Sequence, residues 1–322
     1  MHDTVFPFKC QPDCCVYDAD SGHNGGLNPS LIECLIEFKT KPDSDPFLSS
    51  MSTLAGNVVM CPGKLGKLVA GQITAYATWV LSAQYRTHLF LVLIFKHYSR
   101  LIRWDRGGAV VTEPISHETD SHLLDFLIRF KDADRQARGH DTTVGTPTED
   151  EELNARTFLE LASDIRLLSA SVSDPSQPQK IYRFIISAPC PRPDIPAGRW
   201  TRTSIAYDVQ TGKRVLLKDS WWVLLNDIKP EGKVYEHLWR HEVPHIPFCS
   251  YSGDVGDQIY HASRTHEFGA PSAPSLVPHR HYRLVLDTIG RGLETFKRSL
   301  EVVTAIHDAL VGKFTVFMHL AA

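Results

Sequence analysis

Paired cysteines are what this sequence most plainly lacks. Its seven cysteines, at positions 10, 14, 15, 34, 61, 190 and 249, form an odd set with no C-x-x-C pair. That disfavours a secreted disulfide framework and suits reduced thiols in an intracellular protein, cytoplasmic or nuclear. Cys10, Cys14 and Cys15 with His23 are of zinc-ligand type, but without paired spacing they read as core or surface thiols. Long apolar runs are also absent: the longest, Leu89 to Phe95, is seven residues, against about 20 for a membrane-spanning helix. The opening Met1-His2-Asp3 has no basic region or long apolar stretch behind it, so neither a signal peptide nor a membrane partner is expected. No long Lys/Arg run occurs, and 34 basic against 37 acidic residues give a net charge of −3 and a pI near 6.6. Without a global basic field, nucleic acid would need a local cationic surface, and it is disfavoured as a partner.

What is present suits a globular α+β protein: 322 residues, 43% hydrophobic and 22% charged, are enough for two cores. Residues 31–38 and 89–95 read as apolar strands. Gly71 to Arg86 carries helical spacing on Ile73, Tyr76, Val80 and Ala83. Strand-like stretches at Ser99–Trp104 and Ala109–Thr112 flank the turn Asp105-Arg106-Gly107-Gly108, which predicts a hairpin. A helix follows over Ser121–Phe130. Residues 132–152 are polar and charged and 171–179 are rich in Ser, Pro and Gln, so the division expected is an α/β domain over 1–150, a polar linker over 151–180 and a second domain over 181–322. In the second, strands dominate from Ile181 to Leu217, a helix spans about Pro230 to Trp239, a Ser/Pro/Gly loop covers Glu267 to Pro278, and Tyr282–Leu286 is a further strand before closing helices.

The second domain carries an ordered set of nucleotide-binding residue types. Gly198, Arg199, Thr201 and Arg202 lie in a turn between two strand-like runs. Lys218 ends the strand Arg214-Val215-Leu216-Leu217-Lys218. Glu231 opens a helix whose Tyr235 and Leu238 face inward beside it. A turn over phosphates, a strand lysine to hold them and a helix glutamate to fix the lysine are the parts of a kinase nucleotide lobe. Taken singly, Lys218 reads equally as a solvated strand end and Glu231 as a first-turn acid facing the helix dipole.

Together with Leu217-Lys218-Asp219-Ser220-Trp221, Glu231-Gly232-x-x-Tyr235 and His281-Tyr282-Arg283-Leu284-Val285-Leu286, this order resembles the fungal-type protein kinase family of mushroom-forming fungi. The similarity extends upstream to Gln84-Tyr85-Arg86-Thr87-His88-x-Phe90 and to Ile102-Arg103-Trp104-Asp105-Arg106-x-Gly108-Ala109-x-Val111-Thr112-Glu113-Pro114. It implies an amino-terminal kinase lobe binding ATP with Mg2+, Ser/Thr phosphoryl transfer to a protein substrate, and a lobe-linking segment at Asp287–Arg291. Ser299 to Leu310 looks like the long helix before the catalytic loop. Two departures qualify this. Trp200 stands where phosphate loops carry a small residue. After Leu310 no H-R-D-like loop or D-F-G-like aspartate follows, so an incomplete carboxy-terminal lobe and catalytic inactivity are expected, with the apolar tail Phe314–Ala322 an accident of gene structure. A pseudokinase or interaction module is the alternative.

In the first domain, Asp13 precedes a strand, and Glu37 and Lys39 lie two apart on the next, on one side of it. Asp13 and Glu37 could bind Mg2+ or Mn2+ through oxygen, Lys39 could steady an attacking water, and Gln72 on the following helix could orient either. The pattern resembles the PD-(D/E)xK nuclease-like superfamily and implies a restriction-endonuclease-like fold. Equally, Asp13 reads as a turn residue and Glu37 with Lys39 as an ordinary edge pair. Asp18, Asp20, Glu33, Asp43 and Asp45 would repel a polyanion unless a metal or Arg86, Arg100, Arg103 and Arg106 neutralise them.

Overall fold

The computed structural model describes residues 9–47, 60–61, 63–174, 177–190, 195–268 and 276–320. It is mixed α+β, with two sheets and five α-helices among the described residues. Two compact units divide it, each from three stretches of chain: Met1–Thr142, Ala188–Trp200 and Gly256–Arg280 form the first, and Thr143–Ser187, Thr201–Val255 and His281–Ala322 the second.

Unit 1 opens with β1 (Cys14–Tyr17) and β2 (Ile32–Lys39), then α1 (Lys64–Ala83), β3 (His88–Phe95), β4 (Tyr98–Asp105), β5 (Gly108–Val111), the two-residue β6 (Ile115–Ser116) and α2 (His122–Asp132). The sheet runs β1-β2-β3-β4-β5, with β6 paired to β4. β2 and β3 are parallel, Cys34 opposite Phe90 through Lys39 opposite Phe95, and α1 is the crossover that a parallel pair requires. The other pairings are antiparallel. The run Leu89–Phe95 is apolar throughout because both its faces are covered. Leu89, Leu91, Leu93 and Phe95 meet Val69, Ile73, Tyr76, Val80 and Leu81 of α1. Phe90, Val92 and Ile94 meet Leu123, Phe126 and Phe130 of α2. Each fully buried leucine in such a layer contributes about 1.5–3 kcal/mol. The expected β4–β5 hairpin is present: Asp105 Oδ1 accepts the Gly107 N–H at 2.8 Å, and Gly108 takes φ +139°, open mainly to glycine.

Unit 2 contains β7 (Val144–Gly145), α3 (Glu149–Phe158), β8 (Leu167–Asp174), β9 (Gln177–Ser187), β10 (Arg202–Asp208), β11 (Lys213–Val223), α4 (Glu231–Arg240), β12 (Cys249–Asp254), the main part of β13 (His279–Leu286) and α5 (Ser299–Leu320). Its sheet runs β12-β13-β11-β10-β9-β8-β7. Consecutive strands β7 to β11 pair antiparallel, as do β12 and β13.

The division differs from the one read in the sequence. Residues 151–180, expected as a linker, carry most of α3, then β8 and the start of β9. The acidic run Glu149–Glu152 is a first helical turn, closed by a capping box in which Thr148 and Glu151 satisfy each other's backbone N–H groups. In β8 Ser169 is itself buried and Ser171 lies between buried Ala170 and Val172, so a polar composition hid a strand. α1 begins at Lys64, earlier than the expected Gly71, without a side-chain cap to announce it. α5 continues to Leu320 through the apolar tail, whose last two residues lie outside the described ones, as does 269–275 of the Glu267–Pro278 loop.

Candidate functional site

In unit 1 the four residues Asp13, Glu37, Lys39 and Gln72 come together. Glu37 lies on β2 with its side chain 3% exposed. Its Oε1 accepts from Gln72 Nε2 at 2.8 Å and from Lys39 Nζ. Its Oε2 accepts the backbone N–H of Asp13 at 3.2 Å. Asp13 in turn accepts the Phe38 N–H on Oδ2 at 2.9 Å, so β2 and the residue just before β1 are tied together by the two carboxylates. Tyr76, four residues after Gln72 and hence on the same helical face, completes the group. Its hydroxyl accepts from Gln72 Nε2 at 2.8 Å and donates to the Gln11 carbonyl at 2.8 Å, which anchors the segment leading into Asp13. Burial raises the Tyr76 pKa, so the hydroxyl remains a donor near neutrality. Tyr76 was visible in the sequence only as a core position of α1.

The surrounding acids are largely matched. Arg86 pairs with Glu33 at 3.1 Å, Arg100 with Asp45 at 2.8 Å, and Arg138 with Asp18 at 3.0 Å. Of the other arginines expected to offset them, Arg103 serves Asp105 at 2.5 Å and Arg106 packs over Trp200. At Glu33 burial alone would raise the pKa, but the His140 hydrogen bond and the Arg86 charge outweigh it and hold the carboxyl at about 2. His140, pushed down by burial, is neutral near pH 7. Arg135 donates to His140 Nδ1 at 3.3 Å, which leaves Nε2–H for Glu33 at 2.8 Å. Elsewhere in unit 1, Asp141 and His261 lie 3.8 Å apart, both closed from solvent; neither stood out in the sequence.

In unit 2 Lys218 and Glu231 meet as the sequence order suggests. Lys218 Nζ donates to both Glu231 carboxylate oxygens, at 2.7 and 2.6 Å. The side chains are 21% and 25% exposed, so the lysine is held in place and still reachable from solvent. Register sets Thr203 directly across from Lys218, and Ile205 across from Leu216 two residues back, on the same face. Ile205 is 50% exposed and forms an apolar platform beside the charged pair. α4 approaches this sheet closely because residue 232 is glycine: a Cβ there would fall 2.0 Å from Ser252 Oγ and 2.4 Å from the Tyr282 hydroxyl, which accepts the Gly232 N–H. On the opposite face Asp219 accepts from His281 Nε2 at 2.9 Å and Arg283 Nε at 2.6 Å. Burial would raise its pKa, but the hydrogen bonds and charge supplied by His281 and Arg283 hold it far below the usual carboxylate range.

The turn residues are distributed between the units. Gly198, Arg199 and Trp200 belong to unit 1, while Thr201 and Arg202 belong to unit 2, where Arg202 opens β10 opposite Asp219. The Gly198 N–H is occupied by the Arg106 carbonyl at 2.7 Å. Arg106 also donates to the Pro196 carbonyl at 2.9 Å and lies 4.4 Å from the centroid of the Trp200 ring. Trp200, at φ +41°, packs against the α1 side of the unit 1 core. A bulky residue in the left-handed region carries a cost of about 1–2 kcal/mol, which this packing offsets. That accounts for the bulky side chain at this position. Of the zinc-type residues, Cys10, Cys14 and Cys15 are free thiols and His23 stacks on Tyr17.

Comparison with protein-family models, with curated proteins and with solved structures finds no match to this chain. Among the described residues no helix is long and apolar enough to cross a membrane.

Proposed function

We propose that unit 2 is a nucleotide-binding lobe of the protein-kinase type, with ATP as ligand. The observation that carries the reading is the Lys218–Glu231 pair, a lysine on the third strand of the β9-β10-β11 meander bonded to both oxygens of a glutamate on the helix that follows. In this reading Lys218 binds the α and β phosphates, Glu231 orients it, and Thr203 and Ile205 share its face as a polar and an apolar contact. Arg202 and Thr201 lie at the start of the same strand, whereas the Gly198 N–H is already taken by Arg106 and contributes no phosphate donor. Mg2+ would accompany the nucleotide and offset its phosphate charge. The proposal is for nucleotide binding, the step that the Lys218–Glu231 pair would serve. Titration of the full chain with a fluorescent ATP analogue and Mg2+ tests it. Lys218→Met is expected to weaken binding about tenfold or more through the lost charged hydrogen bonds. Absence of binding, or binding indifferent to Lys218→Met, would overturn it.

A second reading is favoured by the convergence of Asp13, Glu37, Lys39 and Gln72 from three separate elements: a metal-dependent phosphodiesterase site of the PD-(D/E)xK type. The donor set suits a hard divalent cation: one carboxylate just before β1 and one on β2, each bonded to the backbone beside the other. Asp13 and Glu37 would hold Mg2+ or Mn2+, which would supply a Lewis acid and an activated water. Lys39, now bonded to Glu37, and Gln72 would position the attacking water. Manganese-dependent cleavage of DNA that disappears in Glu37→Ala is the expected result; no cleavage under any divalent metal would end this reading.

A further inference from the structure

We infer that unit 1 contains a binding site for a small organic cation with an aromatic or aliphatic body, in the cavity between α2 and the sheet. The cavity holds about 700 Å³, within the roughly 300–1,000 Å³ usual for small-ligand sites. Its floor is apolar, made by Phe90 of β3, Leu101 of β4, and Phe126 and Phe130 of α2. The three phenylalanine rings form one cluster, with centroid separations of 5.4, 6.0 and 5.7 Å. Its rim is acidic: Glu113, Asp120 and Asp125 line the opening. The basic groups there are Arg129 and His122, and His122 lies 3.1 Å from Asp120.

Two features therefore point to the same ligand charge. Aromatic rings attract cations through their quadrupole, and the three lining carboxylates outnumber the two lining basic groups. Phe130 already carries one cation, the Arg138 guanidinium, 5.6 Å from its centroid. An anion would meet the acidic rim. The site uses none of the residues placed at Glu37 or at Lys218, so it stands or falls independently of both readings above.

The test compares benzyltrimethylammonium with neopentylbenzene, the same shape without the charge, by ligand-observed NMR on the full chain. The cation is expected to bind more tightly. The double variant Glu113→Gln/Asp125→Asn is expected to weaken the cation about tenfold and leave the neutral isostere unchanged. Ala133 lines the cavity in extended backbone (φ −66°, ψ 143°) that any residue adopts, so Ala133→Trp should block both ligands. Leu124→Ala, on an exposed position of α2 that does not line the cavity, should change nothing. Failure of the cation to bind, equal binding of the two ligands, or indifference to the double variant would each overturn the proposal. The charge variants lie at the rim and replace near-isosteres, so they keep the test open if Ala133→Trp does not fold.

Discussion

Buried charge in unit 1 is organised around Glu33, whose partners lie far along the chain: Arg86 is 53 residues away and His140 is 107. The sequence showed a glutamate inside an apolar strand and an arginine near another, and local pattern alone could not join them. The consequence is a measurable acid sensitivity. A carboxyl held at about 2 against an ordinary 4.5 contributes stability that is complete above its unfolded value. That stability is lost as pH falls from about 4.5 toward 2, and it amounts to about 3 kcal/mol. Glu33→Gln is expected to remove this acid-sensitive component, measured by urea unfolding at pH 7 and pH 3. It should also cost about 3–5 kcal/mol at neutral pH, because Arg86 is left buried without its counter-charge. By contrast, the Glu37 group was legible residue by residue, since an acid, an E-x-K pair and a helix glutamine each occupy recognisable positions. Only Tyr76 was hidden, because its hydroxyl's partner is a backbone carbonyl that no side-chain pattern marks.

At the level of elements, most strands and helices followed from periodicity, while the features that join them did not. The Glu231-Gly232 dipeptide illustrates both sides. Periodicity placed the helix and its acid, but the reason for glycine is the distance of α4 from β12 and β13. Gly232→Ala is expected to push α4 off the sheet and pull Glu231 away from Lys218. In the nucleotide-lobe reading it should weaken ATP-analogue binding about tenfold without altering either charged residue, the scale of a lost charged hydrogen bond. Unchanged affinity in a folded Gly232→Ala protein would contradict that coupling. Asp219 performs a similar joining role on the other face, where His281 and Arg283 of β13 meet β11. Replacing it with alanine should destabilise unit 2 by about 3–5 kcal/mol in urea unfolding. At α3, Thr148→Ala should cost about 1 kcal/mol through the lost cap, enough to lower the unfolding midpoint measurably.

For the molecule as a whole, the order of segments was the least legible property. Composition marks polar stretches, and polar stretches suggest linkers; here they are a capped helix and a strand whose small serines lie between apolar neighbours. A fragment starting at 181 would therefore discard α3, β8 and the beginning of β9, together with the Ala155–Leu167–Ile185 core. Such a fragment is expected to lack a cooperative thermal transition, whereas the full chain should show one; circular dichroism distinguishes the two. The same interleaving has a consequence for biosynthesis. The chain passes between the two units at 142/143, 187/188, 200/201, 255/256 and 280/281. On the ribosome, the six strands of the unit 1 sheet and the helices α1 and α2 have emerged by Asp132, whereas the last two segments of the unit, Ala188–Trp200 and Gly256–Arg280, arrive only after much of unit 2. Vectorial folding is therefore open to the unit 1 sheet, which can pack against its two helices before any strand of unit 2 is made. A nascent chain would then carry a packed unit 1 core that still lacks its last two segments while the strands of unit 2 are being made.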